Sequence, residues 1–164
     1  MPLLVCIPNS LLSHTNLEAS NCFAQSRLVS AGDRYRNHHS IAWITAKNHT
    51  VAGPYSHAIV TPTTVYCSGQ IPMTNSGEIL TQPTSTIAEM TTLCCENLSK
   101  VLTAAGSSMS KVVKVNVFLT DMANFVEMNG AYEKAFAHKP ARSCVAVHQL
   151  PKGVPVEIEC IALP

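Results

Sequence analysis

The sequence predicts an α+β domain in which two helices pack on one face of a mixed β-sheet. Three observations carry this. Apolar residues recur at helical spacing in two stretches, Ile87 to Ala105 and Phe125 to Phe136. Two other stretches, near Val113 and Val154, alternate in the manner of half-buried strands. The chain has 164 residues, 46% hydrophobic and 13% charged, which is enough for one good core.

The elements follow in order. His57–Thr61 and Thr64–Ser68 flank Pro62 and read as a hairpin. Gly69-Gln70-Ile71-Pro72 ends its second strand, and the turn Asn75-Ser76-Gly77 leads into a short strand, Glu78–Leu80. Ile87, Met90, Cys94, Leu98, Val101 and Ala105 make one apolar helix face. Thr86 with Glu89 is a capping-box pattern at its start, and Gly106 suits its left-handed end. Val113, Val115, Val117 and Leu119 form the buried side of the next strand. Asn124 with Glu127 reads as a second capping box, opening a helix through Phe125, Met128, Tyr132 and Phe136 that Pro140 stops. Arg142–His148 and Val154–Ala162 are the last strands; Val156, Ile158 and Cys160 face one way, Glu157, Glu159 and Ile161 the other. The order is β-β-β-α-β-α-β-β. Burial of the free sheet face against other subunits suits so apolar a chain.

Composition narrows the function classes. The low charge and high apolar content exclude a disordered chain. A net charge of +1 disfavours a dedicated nucleic-acid binder. No apolar run is long enough to span a membrane. The seven cysteines fit no disulfide framework and include no C-x-x-C pair, so they read as reduced thiols. Residues 1–48 differ from the rest and are read as a poorly ordered extension, with the domain at 49–164. Serine-rich, arginine-bearing and acid-poor, the extension has the profile of an organellar transit peptide, although its first arginine comes only at Arg27. A cytoplasmic and a mitochondrial-matrix location both remain open.

Chemistry has few candidates. There is no G-x-S-x-G elbow, no Walker loop and no G-x-G-x-x-G, and the histidines form no metal-binding spacing. Arg142 opens an otherwise apolar strand. It either pairs with a carboxylate such as Glu157 or Glu159, or offers its planar fork to a substrate carboxylate. Glu157 is a solvated strand residue unless it converges on the same pocket, where it would hold a water molecule. Cys144, on the Arg142 side of its strand, is a nucleophile or, by default, a small core residue. Gly53-Pro54-Tyr55-Ser56 is a turn before a strand, or it brings the Tyr55 hydroxyl to a ligand.

Together the motifs resemble a family. They are Gly53-Pro54-Tyr55-Ser56, Ser68-Gly69-Gln70-Ile71-Pro72, Ala104-Ala105-Gly106-Ser107-Ser108, Val115 to Met122, Asn129 with Tyr132, His138 to Val145, and Val156-Glu157-Ile158-Glu159. In register from about Thr50 to Ala162, they are similar to the reactive-intermediate deaminase A (RidA) family, also called the YjgF family. The resemblance implies a chorismate-mutase-like fold and a homotrimer with clefts between subunits. It implies hydrolysis of 2-imino acids, such as 2-iminobutanoate and 2-iminopropanoate, to 2-keto acids and ammonia. These imines are by-products of pyridoxal-phosphate enzymes, and no metal or cofactor is used. It further implies that Arg142 binds the substrate carboxylate, that Glu157 positions the attacking water, and that the main chain at Cys144 helps hold the substrate. Tyr55, Ser68, Gly69 and Asn129 would line the cleft, partly from the neighbouring subunit. Two other readings stand beside this: a trimer that binds keto acids without turnover, and an RNA-cleaving translation inhibitor. The near-zero net charge argues against the second.

Overall fold

The computed structural model describes residues 41–45 and 53–164. Most of the segment read as an extension, and any targeting role it has, lies outside the described residues. The strands are β1 (Ala42–Ile44), β2 (Ala58–Val60), β3 (Val65–Gln70), β4 (Val112–Leu119), β5 (Ala141–Ala146) and β6 (Val156–Ala162); the helices are α1 (Ile87–Ala104) and α2 (Phe125–Ala135). One six-stranded sheet has the order β1-β2-β3-β6-β4-β5. Among the described strands only β4 and β5 run parallel, joined through α2, so the sheet is mixed. Both helices cover one face, α1 lying against β3, β6 and α2.

The periodicities explain this layering. Ile87, Met90, Cys94, Leu98 and Val101 of α1 are buried against Val65, Val115, Val117, Leu119, Val156, Ile158 and Cys160 of the sheet. Burying each such aliphatic side chain stabilises the fold by about 1.5–3 kcal/mol. The predicted cap of α1 is present: the Glu89 amide donates to Thr86 Oγ1 at 3.1 Å and the Thr86 amide to Glu89 Oε2 at 2.8 Å. At the other end Gly106, at φ +78°, closes a Schellman motif, with Ser107 N–H donating to the Leu102 carbonyl and Gly106 N–H to that of Thr103.

Four local expectations change. The strand at Glu78–Leu80 does not form; Ile79 makes only an isolated bridge to Met73. The first strand is instead Ala42–Ile44, paired antiparallel to β2. A register irregularity between Val112 and Lys114 turns Val113 outward, to 44% exposure, and makes Val112 the buried residue. Asn124 does not cap α2. It has helical φ and ψ because a 3-10 turn, Met122–Asn124, precedes the helix, and Asp121 caps that turn by accepting from the Ala123 amide at 2.8 Å. Glu127 caps the other helix: its Oε1 accepts the Ala88 amide of α1 at 3.0 Å, placing negative charge where the α1 dipole is positive.

The other face of the sheet carries large apolar side chains. Trp43 pairs with Ile59, Ile59 with Tyr66, and Tyr66 with Ile161, forming a row across four strands. Trp43 is 69% exposed and Tyr66 49%.

Candidate active site

Arg142 lies opposite Val115, whose side chain is fully buried beneath the helices, so Arg142 rises on the helix-covered face at the edge strand β5. There α2 presents Phe125, Asn129 and Tyr132, spaced four and then three residues apart and therefore on one stripe. Arg142 Nη1 donates to Asn129 Oδ1 at 2.7 Å. Its Cζ is 4.5 Å from the Tyr132 ring centroid and 5.6 Å from that of Phe125. Among the described residues no carboxylate pairs with it, and Glu159 instead accepts from Asn116 Nδ2 at 2.8 Å. A neutral amide and two π faces hold a cation without neutralising it. The remaining guanidinium N–H donors keep their full charge for an incoming anion.

Burial acts on two groups near the arginine. The Tyr132 hydroxyl is buried with no partner among the described residues, and burial pushes its pKa to about 12. Its ring, not its hydroxyl, serves Arg142. Cys144, half-buried two residues along β5, has its thiol pushed up by burial, with the Arg142 charge opposing. Such a thiol is a poor nucleophile.

Glu157 stands on the opposite face. It pairs in register with Phe118, between the buried Val156 and Ile158. Its carboxyl is held above its ordinary pKa by burial and, secondarily, by the nearby Glu159 carboxylate. A β-bulge makes room for it. Cys67 pairs with Cys160 and Gln70 with Ile158, so Ser68 and Gly69 together span the place of the single residue Glu159. A Cβ on Gly69 would lie 2.8 Å from Glu157 Cδ and 3.0 Å from its Cγ, closer than atoms pack. Ser68 Oγ donates to the Ser56 carbonyl at 2.7 Å, fastening the Gly53–Ser56 turn to β3. Tyr55 is exposed there, edge-on to His57 at 6.5 Å.

The sequence-predicted residues thus fall into two groups. Arg142, Asn129 and Cys144 share the helix face at β5. Glu157, Gly69, Ser68 and Tyr55 belong to the β2–β3–β6 side. One chain does not bring Arg142 and Glu157 together. Sequence reasoning assigned Phe125 and Tyr132 to the core face of α2 and missed them as the cradle of Arg142. Their spacing with Asn129 was the available signal. Among the described residues no three His, Cys, Asp or Glu side chains are grouped to hold a metal ion.

The Schizosaccharomyces pombe protein mmf1, named as mitochondrial, is 50% identical over 116 residues, covering 68% of this chain and 69% of that protein. A human protein named 2-iminobutanoate/2-iminopropanoate deaminase is 38% identical over 121 residues, covering 73% of this chain and 86% of that one. The crystal structure of Escherichia coli TdcF with bound serine superposes with a TM-score of 0.68 at 34% identity, covering 75% of this chain and 99% of TdcF. A sequence model of the family described as endoribonuclease L-PSP matches residues 45–164. The chain therefore belongs to the endoribonuclease L-PSP family, the YjgF/RidA family that its motifs resemble.

Proposed function

We propose that this protein hydrolyses 2-imino acids, such as 2-iminobutanoate and 2-iminopropanoate, to 2-keto acids and ammonia, working as a homotrimer. The observation that carries the reading is the guanidinium of Arg142, fixed by Asn129 and aromatic rings yet paired with no carboxylate among the described residues. A 2-imino acid presents one carboxylate, which suits that fork. Glu157 lies on the other face, so a site holding both groups is built between copies, with Arg142 from one and Glu157 from the next. The exposed apolar row through Trp43 and Tyr66 supports association of such copies.

The chemistry asks little more. The protonated imine is electrophilic. Arg142 anchors its carboxylate, and the main chain near Cys144 orients C2. Glu157 holds a water over C2, takes one of its protons as the C–O bond forms and passes it to nitrogen; as the C–N bond then breaks, the new hydroxyl gives its remaining proton to Glu157, leaving the keto acid and ammonia. A carboxyl with a raised pKa is the stronger base for this. None of these steps needs a metal or cofactor. The names of fungal relatives such as mmf1 and the profile of residues 1–48 support a mitochondrial location.

The test generates imines in situ with an amino-acid oxidase and follows keto acid and ammonia, with RNA degradation assayed in the same preparation. Faster imine decay with wild type, lost in Arg142→Ala, is expected. Undiminished hydrolysis by Arg142→Ala, or RNA cleavage alone, overturns the reading, as does a monomer by light scattering. Imaging the tagged full chain against a mitochondrial marker tests the address.

A further inference from the structure

We propose that Cys67 and Cys160 form an intrachain disulfide when the protein meets hydrogen peroxide, a reversible modification site on the core side of the β3–β6 pair.

The geometry is already close to that of the bond. The two residues are direct partners on adjacent antiparallel strands. Such partners have Cα atoms about 4.5 or 5.5 Å apart, depending on which kind of pair they form. Both separations lie within the roughly 4.4–6.8 Å that disulfides span. Both side chains point to the same side, at 6% and 2% exposure, and both thiols are free. Their proximity holds the Cys67 thiol below its ordinary pKa and raises that of Cys160. One thiol is thereby poised as the nucleophile and the other as its resolving partner.

The atoms balance. The Cys67 thiolate attacks a peroxide oxygen, breaking the O–O bond; the departing hydroxide takes a proton and leaves as water, and Cys67 becomes a sulfenic acid. The Cys160 sulfur then attacks the Cys67 sulfur, the S–S bond forms, and the displaced hydroxide leaves as a second water with the Cys160 proton. Two thiols lose two hydrogens and two electrons, and one peroxide becomes two waters. The position matters for the site. Cys67 directly precedes the bulge that carries Gly69, and Cys160 is three residues from Glu157, so the cross-link pins the two strands where the carboxylate is seated.

The test treats the reduced full-length protein with hydrogen peroxide, blocks the remaining thiols, and maps peptides by mass spectrometry without reduction. The expected result is a linked pair of peptides containing Cys67 and Cys160, two hydrogens lighter than their sum and separated by dithiothreitol. In Cys67→Ser and Cys160→Ser the linked pair is lost. Labelling of both Cys67 and Cys160 by the blocking reagent after oxidation overturns the proposal, and so does Cys160 joined to Cys95. The wild-type map decides the matter even where a serine variant fails to fold.

Discussion

The Glu157 carboxylate occupies the space that a side chain on Gly69 would fill, with a Cβ there only 2.8 Å from Glu157 Cδ. The bulge in β3 is what offers that space. Gly69→Ala therefore displaces the end of a flexible side chain and leaves the backbone alone. Imine hydrolysis should fall at least about tenfold, as expected when a general base is misplaced. The urea unfolding midpoint should move little. A variant with full kcat shows that Glu157 is not the group that handles the water.

Asn129 holds Arg142 without charge. Asn129→Asp supplies an internal counter-ion, so the site no longer presents a net cation to a carboxylate. Pyruvate affinity, measured by calorimetry, should drop roughly tenfold or more, since a charge-assisted pair now competes with the ligand. Asn129→Ala loses one hydrogen bond and should cost only about 1 kcal/mol of binding. Equal losses in the two variants refute the competition.

The direction of the Glu157 shift fixes a pH dependence. Burial and Glu159 raise its pKa in the folded chain. The folded state then holds a proton more tightly than the unfolded state, so stability from this group is greatest at low pH and is lost as pH rises through the folded pKa. Activity runs the opposite way, because only the ionised form accepts a proton. Glu159→Gln removes the like charge and can still accept from Asn116. The acid limb of the pH–kcat profile should move to lower pH. An unmoved limb excludes Glu157 as the titrating base.

Glu127 joins the helices by accepting the Ala88 amide. Glu127→Ala leaves an amide in the first turn of α1 without this acceptor and removes a favourable charge. A loss of about 0.5–2 kcal/mol is expected from denaturant titration at unchanged m-value. Pyruvate affinity should hold, since Glu127 makes no contact with Arg142.

Legibility in the sequence followed the length of the repeating pattern. α1 was readable because five buried residues repeat at helical spacing and Thr86, Glu89 and Gly106 bracket them. β6 was readable because Val156 to Ala162 alternates without interruption. Ala42–Ile44 was not, since three residues of any kind show no period, and its status depends on a partner, β2, far along the chain. The outward turn of Val113 was hidden for a related reason: a bulge adds one residue to one strand only, which composition cannot show. Asn124 and Glu127 form a valid capping pattern, but Asp121 starts the turn earlier and Glu127 finds a donor in another helix. Within the candidate site, Arg142 and Glu157 stood out as charges in apolar strands. Their placement on opposite faces followed only from register, and the hold of α2 on the arginine followed only from the fold.

Because the sheet is a single layer with Arg142 on one side and Glu157 on the other, two crippled proteins can restore each other. In the shared site proposed above, a chain lacking the arginine still lends its glutamate to a neighbour, and a chain lacking the glutamate still lends its arginine. Coexpressing Arg142→Ala with Glu157→Gln in equal amounts should leave about a quarter of the sites of a randomly mixed cyclic trimer intact. That fraction of wild-type turnover should emerge from a mixture in which neither protein works alone.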